Sequence, residues 1–282
     1  LILCKNYDEM SQKAAELIAK QINEKPNSVL GLATGSTPIG TYSRLIEMNK
    51  NNAIDFKNVV TFNLDEYYPI SHSNSQSYHS FMNENLFKYI NIDLNNTHIP
   101  NGETVCAEYE KQIEAFGGVD LQILGIGRNG HIGFNEPSES LSSNTHLTGL
   151  TQDTIEANAR FFKDENQVPT HALTMGMATI FKAKKIILLA NGRSKMNAIK
   201  ALLSDEITTD LPATMLKMHP NVTVICDYDA YADTRMGIDI GGMSAKIGVL
   251  ENNKIIARRE VAISKAMTSD SIVDELVSVC ND

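Results

Sequence analysis

The sequence has little that would hold it in a membrane or direct it out of the cell. It contains no apolar run of about 18 residues or more, so a membrane-spanning helix is excluded. Residues 1–12 carry neither a basic segment nor a long apolar stretch, which argues against a secretory signal. The chain starts at Leu1 rather than Met, and we expect that its first residues are missing.

Cysteines are few and widely separated. The four are Cys4, Cys106, Cys226 and Cys280; no C-x-x-C occurs, and none lies near a histidine at ligand spacing. This argues against a disulfide framework and against a structural zinc site. We therefore predict reduced thiols, a cytoplasmic protein and no metal.

Basic residues are fewer than acidic ones, 25 Lys and Arg against 34 Asp and Glu. The formal net charge is −9, which disfavours nucleic acid and anionic membranes as main partners. It does not exclude a small anionic substrate, since a few local Lys and Arg side chains can hold a phosphate. The apolar content of 42% is sufficient for a buried core.

Short apolar runs alternate with amphipathic stretches along most of the chain. The runs predict buried strands at 28–33, 58–63, 119–124, 185–190 and 221–226. The stretches between them predict helices at 8–23, 37–49, 77–87, 104–116 and 194–203. This alternation predicts an α/β fold, a Rossmann-like doubly wound and mostly parallel sheet with helices on both faces. Ligands of such sheets bind beyond the carboxyl ends of the strands.

A polar break at 227–235 follows the last of these strands, and a new strand–turn–strand pattern begins at Met236. We therefore predict two domains, 1–234 and 235–282, the second a short β-rich extension.

The turn at 34–38 follows the first strong strand and precedes a helix. Gly35 permits a tight turn and close backbone approach, and Ser36 and Thr37 offer hydroxyl donors beside the free N–H groups of the helix start. The pattern predicts an anion site. An ordinary capped turn explains these residues about equally well.

Two adjacent carboxylates, Asp65 and Glu66, follow the second strand. A carboxylate partly shielded by aromatic neighbours can have a raised pKa and act as a proton-transferring base. A helix cap or a solvated acidic turn is the commoner meaning of such a pair.

The segment 125–130 matches G-x-G-x-x-G directly after a strand. A dinucleotide site would need a helix next, but Gly133 and Pro137 interrupt any helical period. The segment favours an acid/base site instead. His131 can carry protons near neutral pH, and Asn129 and Glu136 lie close enough to fix its tautomer.

Basic residues further along could complete a phosphate site. Arg160 lies in an apolar stretch, and Lys195 follows the strand at 185–190 at the start of a helix. Each alone is more often a surface charge. Together with the Ser36–Thr37 turn they could converge on one phosphate.

Taken together, these segments resemble the glucosamine-6-phosphate deaminase family over roughly residues 1–230. FNLDEY (62–67) and HIGFNEP (131–137) are the specific motifs, supported by TGSTP (34–38), ANARFF (157–162), VPTHALTMG (168–176) and GRSKMNAI (192–199). The resemblance implies a Rossmann-like fold that converts glucosamine 6-phosphate and water to fructose 6-phosphate and ammonia without a metal or an organic cofactor.

The resemblance also implies residue roles. Asp65 would move the proton between C2 and C1, and His131 would assist ring opening, oriented by Glu136 and Asn129. A second group would hold the phosphate, and a segment at about 140–170 would form a mobile lid. The phosphate group comprises Ser36, Arg160 and Lys195, with Gly35 and Thr37 supplying turn geometry and donors.

Two departures from the family pattern carry expectations. Some members have Asp where this chain has Asn129, so we expect activity with a changed pH profile. Regulated hexameric members use basic side chains just past FNEP, where this chain has His146 and Thr148. We therefore predict a monomer that N-acetylglucosamine 6-phosphate does not activate.

The segment from Met236 resembles the opening of a ROK-family sugar kinase, a strand, an Asp-x-Gly-Gly turn and a second strand. Met243 stands in place of the usual Thr. The later phosphate loop, the catalytic Asp and the zinc motif of that family are missing, so we expect a fusion cut short or a fragment of a bifunctional protein, without kinase activity. A plain β-hairpin extension is the alternative.

Two other functions stay open on the sequence alone. A 6-phosphogluconolactonase-like hydrolase would lack the FNEP continuation. A non-catalytic sugar-phosphate sensor should carry a helix-turn-helix and a basic face, and neither is visible.

Overall fold

The structure is a computed structural model that describes residues 1–102, 106–152, 155, 169–232, 235–242, 244–251, 254–264 and 267–281. The chain divides into two compact units, Leu1–Tyr231 and Ala232–Asp282. The larger unit carries every predicted site residue.

The described part of the larger unit forms two sheets. Seven strands form a parallel sheet in the order β1-β10-β9-β6-β2-β3-β5, and three form an antiparallel sheet in the order β4-β8-β7. In chain order the strands are β1 (Ile2–Cys4), β2 (Val29–Leu32), β3 (Val60–Asn63), β4 (Asp65–Tyr68), β5 (Thr97–His98), β6 (Leu121–Leu124), β7 (His146–Gly149), β8 (His171–Thr174), β9 (Ile186–Ala190) and β10 (Val222–Asp227).

The described helices lie between these strands. They are α1 (Tyr7–Glu24), α2 (Ile39–Lys50), α3 (Tyr78–Asn85), α4 (Cys106–Ala115), α5 (Met177–Phe181), α6 (Met196–Leu202) and α7 (Tyr228–Tyr231), with short 3₁₀ turns at Phe87–Tyr89, Leu94–Asn96, Arg193–Lys195 and Pro212–Met218. Side-chain caps define where two of these helices begin. Asn6 caps α1 by accepting the Glu9 N–H, and Ser77 caps α3 by accepting the Ser80 N–H.

The α/β prediction is confirmed. β2, β3, β6, β9 and β10 each fall inside a predicted strand or extend one residue past it. The strands β2, β6 and β9 are buried at every position, as expected for a parallel sheet covered on both faces. The second predicted helix begins later than expected, at Ile39, because Pro38 occupies the N-cap position.

The antiparallel sheet was not predicted. At Leu64 the chain leaves the large sheet: its N–H bonds to Leu32 of β2, and its C=O accepts the Met175 N–H beyond β8. The next residue, Asp65, begins β4 and lies opposite Thr174 of β8. The acidic pair therefore lies on a short strand rather than in a loop.

The strand order reverses direction between β2 and β6. From β2 the sheet continues through β3 to β5 on one side, whereas β6, β9 and β10 lie on the other. The carboxyl ends of two adjacent strands with diverging connections form a crevice, and ligands of open α/β sheets bind there. The loops that leave β2 and β6 carry the predicted anion turn and the His131 segment.

The second unit is a small antiparallel sheet followed by a helix. Its elements are β11 (Arg235–Ile240), β12 (Ser244–Glu251), β13 (Lys254–Ala262) and α8 (Ser269–Asn281). Ala245, Ile247, Val261 and Leu276 form its own buried cluster.

Within the part of the chain that the structure describes, no helix combines the length and apolarity needed to cross a membrane.

Candidate active site

Asp65 is a buried carboxylate at the start of β4. It is 6% exposed, and its register partner across the antiparallel ladder is Thr174. Burial, with a smaller contribution from the neighbouring Glu66 charge, raises the pKa of Asp65 to about 8. A carboxylate of this kind is a much stronger base than an ordinary aspartate and can still be ionised near neutral pH.

Aromatic rings form the apolar surroundings of Asp65. Tyr67 lies 4.8 Å from Tyr78 and 6.0 Å from Phe134 between ring centroids, and Tyr78 stacks on Phe134. Burial raises the pKa of Tyr67 to about 12 and raises that of Tyr78 well above its ordinary value. Both phenols therefore stay neutral. Tyr78 also hydrogen-bonds the side chain of Thr34, in the turn after β2.

Glu66 faces away from Asp65 and has a different environment. Its carboxylate accepts the backbone N–H groups of Tyr67 at 2.9 Å, Tyr78 at 2.8 Å and His79 at 3.0 Å. Burial raises its pKa, and the three N–H donors oppose that rise. Successive side chains of a strand point to opposite faces, so the pair divides into one carboxylate bound to a helix start and one without such donors.

His131, Glu136 and Asn129 form a connected group. Nδ1 of His131 lies 3.1 Å from Oε2 of Glu136, and Nδ2 of Asn129 donates to the same oxygen at 2.7 Å. Because an ionised carboxylate only accepts, the imidazole proton lies on Nδ1 and Nε2 is left to exchange a proton with a ligand. Oδ1 of Asn129 accepts the His131 backbone N–H at 3.3 Å, so Asn129 acts on the ring through Glu136.

Glycine is required at two positions around His131 because a Cβ there would overlap a neighbouring side chain. A Cβ on Gly127 would lie 2.4 Å from Nδ1 of His131, so only glycine lets the imidazole rest against this backbone. Gly130 has φ near +80°, and a Cβ there would overlap Leu211. The glycines of the G-x-G-x-x-G segment therefore make room for the His131 imidazole and the neighbouring Leu211. No helix follows it, as Gly133 and Pro137 predict.

The His131 segment and Asp65 meet at Gly133. A Cβ at Gly133 would lie 2.8 Å from Oγ1 of Thr174 and 3.5 Å from Oδ2 of Asp65. Thr174 also accepts the Phe134 N–H at 3.1 Å. The side chain of Asn135 donates to backbone carbonyl oxygens of Ile132 and Met175, which fixes the segment against the end of β8.

The turn after β2 is braced from α1. The Tyr7 hydroxyl donates to the Ser36 carbonyl at 3.1 Å and accepts the Gly40 N–H at 2.8 Å. Gly35 has φ of +92°, a conformation that favours glycine. Ser36 is exposed, so the open side of the turn faces solvent.

A hydrogen bond joins this turn to the loop after β9. The Thr37 hydroxyl donates to Oδ1 of Asn191 at 2.8 Å. The carboxylate of Asp227, at the end of β10, accepts the Gly192 N–H at 2.9 Å. Lys195 closes the short turn that follows, its N–H bonded to the Gly192 carbonyl at 3.0 Å. The two segments predicted to hold a phosphate are thus tied together.

The predicted residues therefore fall into two groups at one edge of the sheet. The first group is Asp65 on β4 with Asn129, His131 and Glu136 in the loop after β6, and the second is Gly35, Ser36, Thr37 and Lys195 in the two linked loops. Arg160 lies outside the described residues, as does much of the segment predicted to be a lid. Among the residues that can be described, no group of three or more His, Cys, Asp or Glu side chains could hold a metal ion.

Four supporting residues were missed by the sequence reasoning: Tyr7, Thr174, Asn191 and Asp227. Asn191 and Asp227 could have been found, because both are polar residues at carboxyl ends of predicted strands. Thr174 lies in the VPTHALTMG motif, but its contact with Phe134, 40 residues away, could not be read from that motif. Tyr7 has no local signal, since its contact with Ser36 spans 29 residues.

Comparison with known proteins assigns the chain to one family. The family model of glucosamine-6-phosphate isomerases and 6-phosphogluconolactonases matches residues 5–225. The chain is 58% identical over 235 residues to a glucosamine-6-phosphate deaminase of Thermoanaerobacter pseudethanolicus, covering 82% of this chain and 93% of that protein. It is 54% identical to a Clostridium perfringens protein of the same name, covering 82% and 97%.

Solved structures agree at the level of the fold. A monomeric glucosamine-6-phosphate deaminase matches with a TM-score of 0.79 and 46% identity, over 81% of this chain and 97% of that one. A 6-phosphogluconolactonase of Thermotoga maritima matches with a TM-score of 0.63 and 24% identity, over 80% and 97%. That second likeness shows the shared fold alone.

Proposed function

The chain belongs to the family of glucosamine-6-phosphate isomerases and 6-phosphogluconolactonases, and we propose that it catalyses the isomerising deamination of glucosamine 6-phosphate. The reaction consumes water and yields fructose 6-phosphate and ammonia. Identities of 54–58% to deaminases over most of the chain place it on the deaminase side of the family.

The observation that carries this function is the buried Asp65 facing the His131 segment. Isomerisation needs a base strong enough to remove a proton from carbon, and burial gives Asp65 a pKa of about 8. It also needs a second group that exchanges protons with oxygen. The imidazole held by Glu136 supplies one from the opposite loop.

His131 acts first, on the closed sugar. With Nδ1–H bound to Glu136, Nε2 exchanges a proton with the sugar oxygens as the ring C1–O5 bond breaks, which yields the open-chain aldehyde. Glu136 stabilises the imidazolium that forms whenever Nε2 is protonated. Asn129 donates to the same carboxylate oxygen and holds it in place.

Asp65 acts on the open chain. C2 lies next to the aldehyde carbon, so its proton is acidic enough for a positioned carboxylate to remove. Asp65 takes that proton and returns it to C1, while the amino nitrogen loses a proton and O1 gains one, so that C1 becomes CH2OH and C2 carries an imine. Water adds to C2, and ammonia leaves as the C2–N bond breaks. Each positioned acid or base contributes about 10²–10⁴-fold to the rate.

The two linked loops hold the phosphate. Ser36 and the N–H groups of the turn after β2 supply neutral donors, and Lys195 supplies positive charge from the turn after β9. Thr37 maintains the spacing between them by donating to Asn191. The family motif ANARFF (157–162) adds Arg160 as a further phosphate ligand. Binding the phosphate fixes the sugar so that C2 faces Asp65.

A coupled assay of ammonia release from glucosamine 6-phosphate tests the function. We expect turnover by the purified chain and none with Asp65→Asn, which retains the size and shape of the side chain. Unchanged turnover by that variant would remove Asp65 from its role.

A lactonase is the competing function, supported by the shared fold and by a family model that includes 6-phosphogluconolactonases. Lactone hydrolysis needs no proton removal from carbon, so it gives no role to a base as strong as Asp65. Hydrolysis of 6-phosphogluconolactone, with no ammonia from glucosamine 6-phosphate, would favour this function instead.

We further propose a cytoplasmic monomer that binds no nucleic acid. The monomeric deaminase with 46% identity supports the oligomeric state. His146 makes a hydrogen bond from Nδ1 to the Asn144 carbonyl, and it and Thr148 lie on β7. With these side chains in place of basic ones, we propose that N-acetylglucosamine 6-phosphate does not activate the enzyme.

The second unit is proposed to correspond to the opening of a ROK-family sugar kinase. The observed order β11, a Gly241–Gly242 turn and β12 fits that pattern, and Gly241 closes the turn by donating to the Ser244 carbonyl. We propose that this chain alone transfers no phosphate from ATP to sugars, and a kinase assay with amino sugars tests this directly.

A further inference from the structure

Glu66 is a buried carboxylate next to Asp65 on β4, and the proposed reaction gives it no role. It is 1% exposed, and its oxygens accept three backbone N–H groups. Two of these, from Tyr78 and His79, are the first N–H groups of α3, which have no partner within the helix. An ionised carboxylate at a helix start is stabilised by those donors and by the helix dipole.

These bonds connect Glu66 to both parts of the crevice. They hold the start of α3 against β4, and α3 carries Tyr78, whose ring packs against Tyr67 and Phe134. The Tyr78 side chain in turn bonds Thr34 in the turn after β2. Loosening Glu66 would therefore disturb the apolar shell of Asp65 and the anion turn together.

Glu66 also places a negative charge one residue from Asp65. Among the described residues, the titratable groups around the pair include four phenols from separate elements, and burial raises the pKa of each, so these four stay neutral between pH 6 and 9. They are Tyr42 of α2, Tyr67 of β4, Tyr78 of α3 and Tyr109 of α4. His79 contributes its backbone N–H, and burial lowers the pKa of its ring, which favours the neutral imidazole.

We propose that Glu66 is a positioning residue for proton transfer: through three backbone N–H groups it fixes the start of α3 beside the base, and it places a second carboxylate next to Asp65. The inference rests on the proposed role of Asp65. It adds that the second acidic residue of the pair never exchanges a proton in the reaction and acts only through its neighbour.

Removing the charge gives a signature that a purely structural role would not produce. In Glu66→Gln, Asp65 loses a like charge, so the acid limb of the pH profile of kcat/KM should move to lower pH by about one unit. The plateau should fall as well, because a less basic carboxylate removes the C2 proton more slowly. Glu66→Asp keeps the charge but is too short to reach all three N–H groups. We expect a lower kcat with the acid limb near its wild-type position.

Glu84→Gln is the matched control, since Glu84 is an exposed glutamate on the same helix, paired with Lys88. It should leave the profile unchanged. A folded Glu66→Gln enzyme with a reduced plateau but an unmoved acid limb would overturn the inference. Absence of ammonia release by the wild type would instead overturn the proposed function.

Carbon-13 NMR titration of side-chain carboxyls in the wild type needs neither activity nor a stable variant. The Asp65 signal is assigned by its loss in Asp65→Asn. We expect Asp65 to titrate near pH 8 while Glu66 stays ionised over the same range. Protonation of Glu66 before Asp65 as the pH falls would contradict the inference.

Discussion

Replacing Asp65 with asparagine should abolish turnover and, at the same time, make the protein more stable at alkaline pH. Its pKa of about 8 lies roughly four units above the ordinary aspartate value of about 3.9. At one pH unit below the pKa only about a tenth of the carboxyl is ionised, and the acid limb of kcat/KM should fall about tenfold per unit below that value.

The same shift fixes how stability depends on pH. Between about pH 4 and pH 8 the unfolded chain has lost the Asp65 proton and the folded chain keeps it, so folding becomes less favourable as the pH rises through this window. At about 1.36 kcal/mol per unit, the full effect is on the order of 5 kcal/mol. The neutral amide of the Asp65→Asn variant does not titrate, so the variant should be spared this loss.

Urea denaturation at pH 5 and pH 9 measures the effect. The stability of Asp65→Asn relative to the wild type should rise by several kcal/mol between the two values, while ammonia release stays at background. If the difference between the two proteins is the same at both pH values, Asp65 is not a buried carboxyl with a raised pKa. The mechanism would then lose its base.

Three further outcomes follow from particular contacts. Gly127→Ala should lower kcat strongly with the fold retained by circular dichroism, because the new Cβ would overlap the His131 ring; wild-type kcat would show that the ring can lie elsewhere. Thr37→Val removes the hydroxyl that donates to Asn191 and should raise KM for the sugar phosphate more than it lowers kcat. An unchanged KM would show that this hydrogen bond does not contribute to phosphate binding. N-acetylglucosamine 6-phosphate should leave the rate curve unaltered, and a sigmoidal curve that becomes hyperbolic in its presence would refute the proposed lack of regulation.

The large sheet could be predicted because its signal is local. Strands such as β2 and β9 are continuous apolar runs between helical patterns, and each run is visible without knowing its partners. The β4-β8-β7 sheet could not be predicted in this way. Its pairing joins Asp65–Tyr68 to a strand that begins at His171, and nothing in four residues that begin with two acids indicates a strand.

The site was predictable as a set of residues but not as a set of contacts. The acidic pair was visible, but its division into two environments depends on which carboxylate lies against the start of α3. The hydrogen bond from Asn129 to Glu136 could not be predicted either. The sequence places them close together, but whether the amide meets the imidazole or the carboxylate depends on how the turn folds around Gly127 and Gly130.

The hydrogen bond from Thr37 to Asn191 joins positions 154 residues apart. Neither half of the proposed phosphate site is complete until β2 and β9 have taken their places in the same sheet. A chain that has formed only its first βα units would therefore not be stabilised by binding phosphate. The substrate should then select and stabilise only molecules whose whole sheet is assembled, which couples ligand affinity to completion of folding.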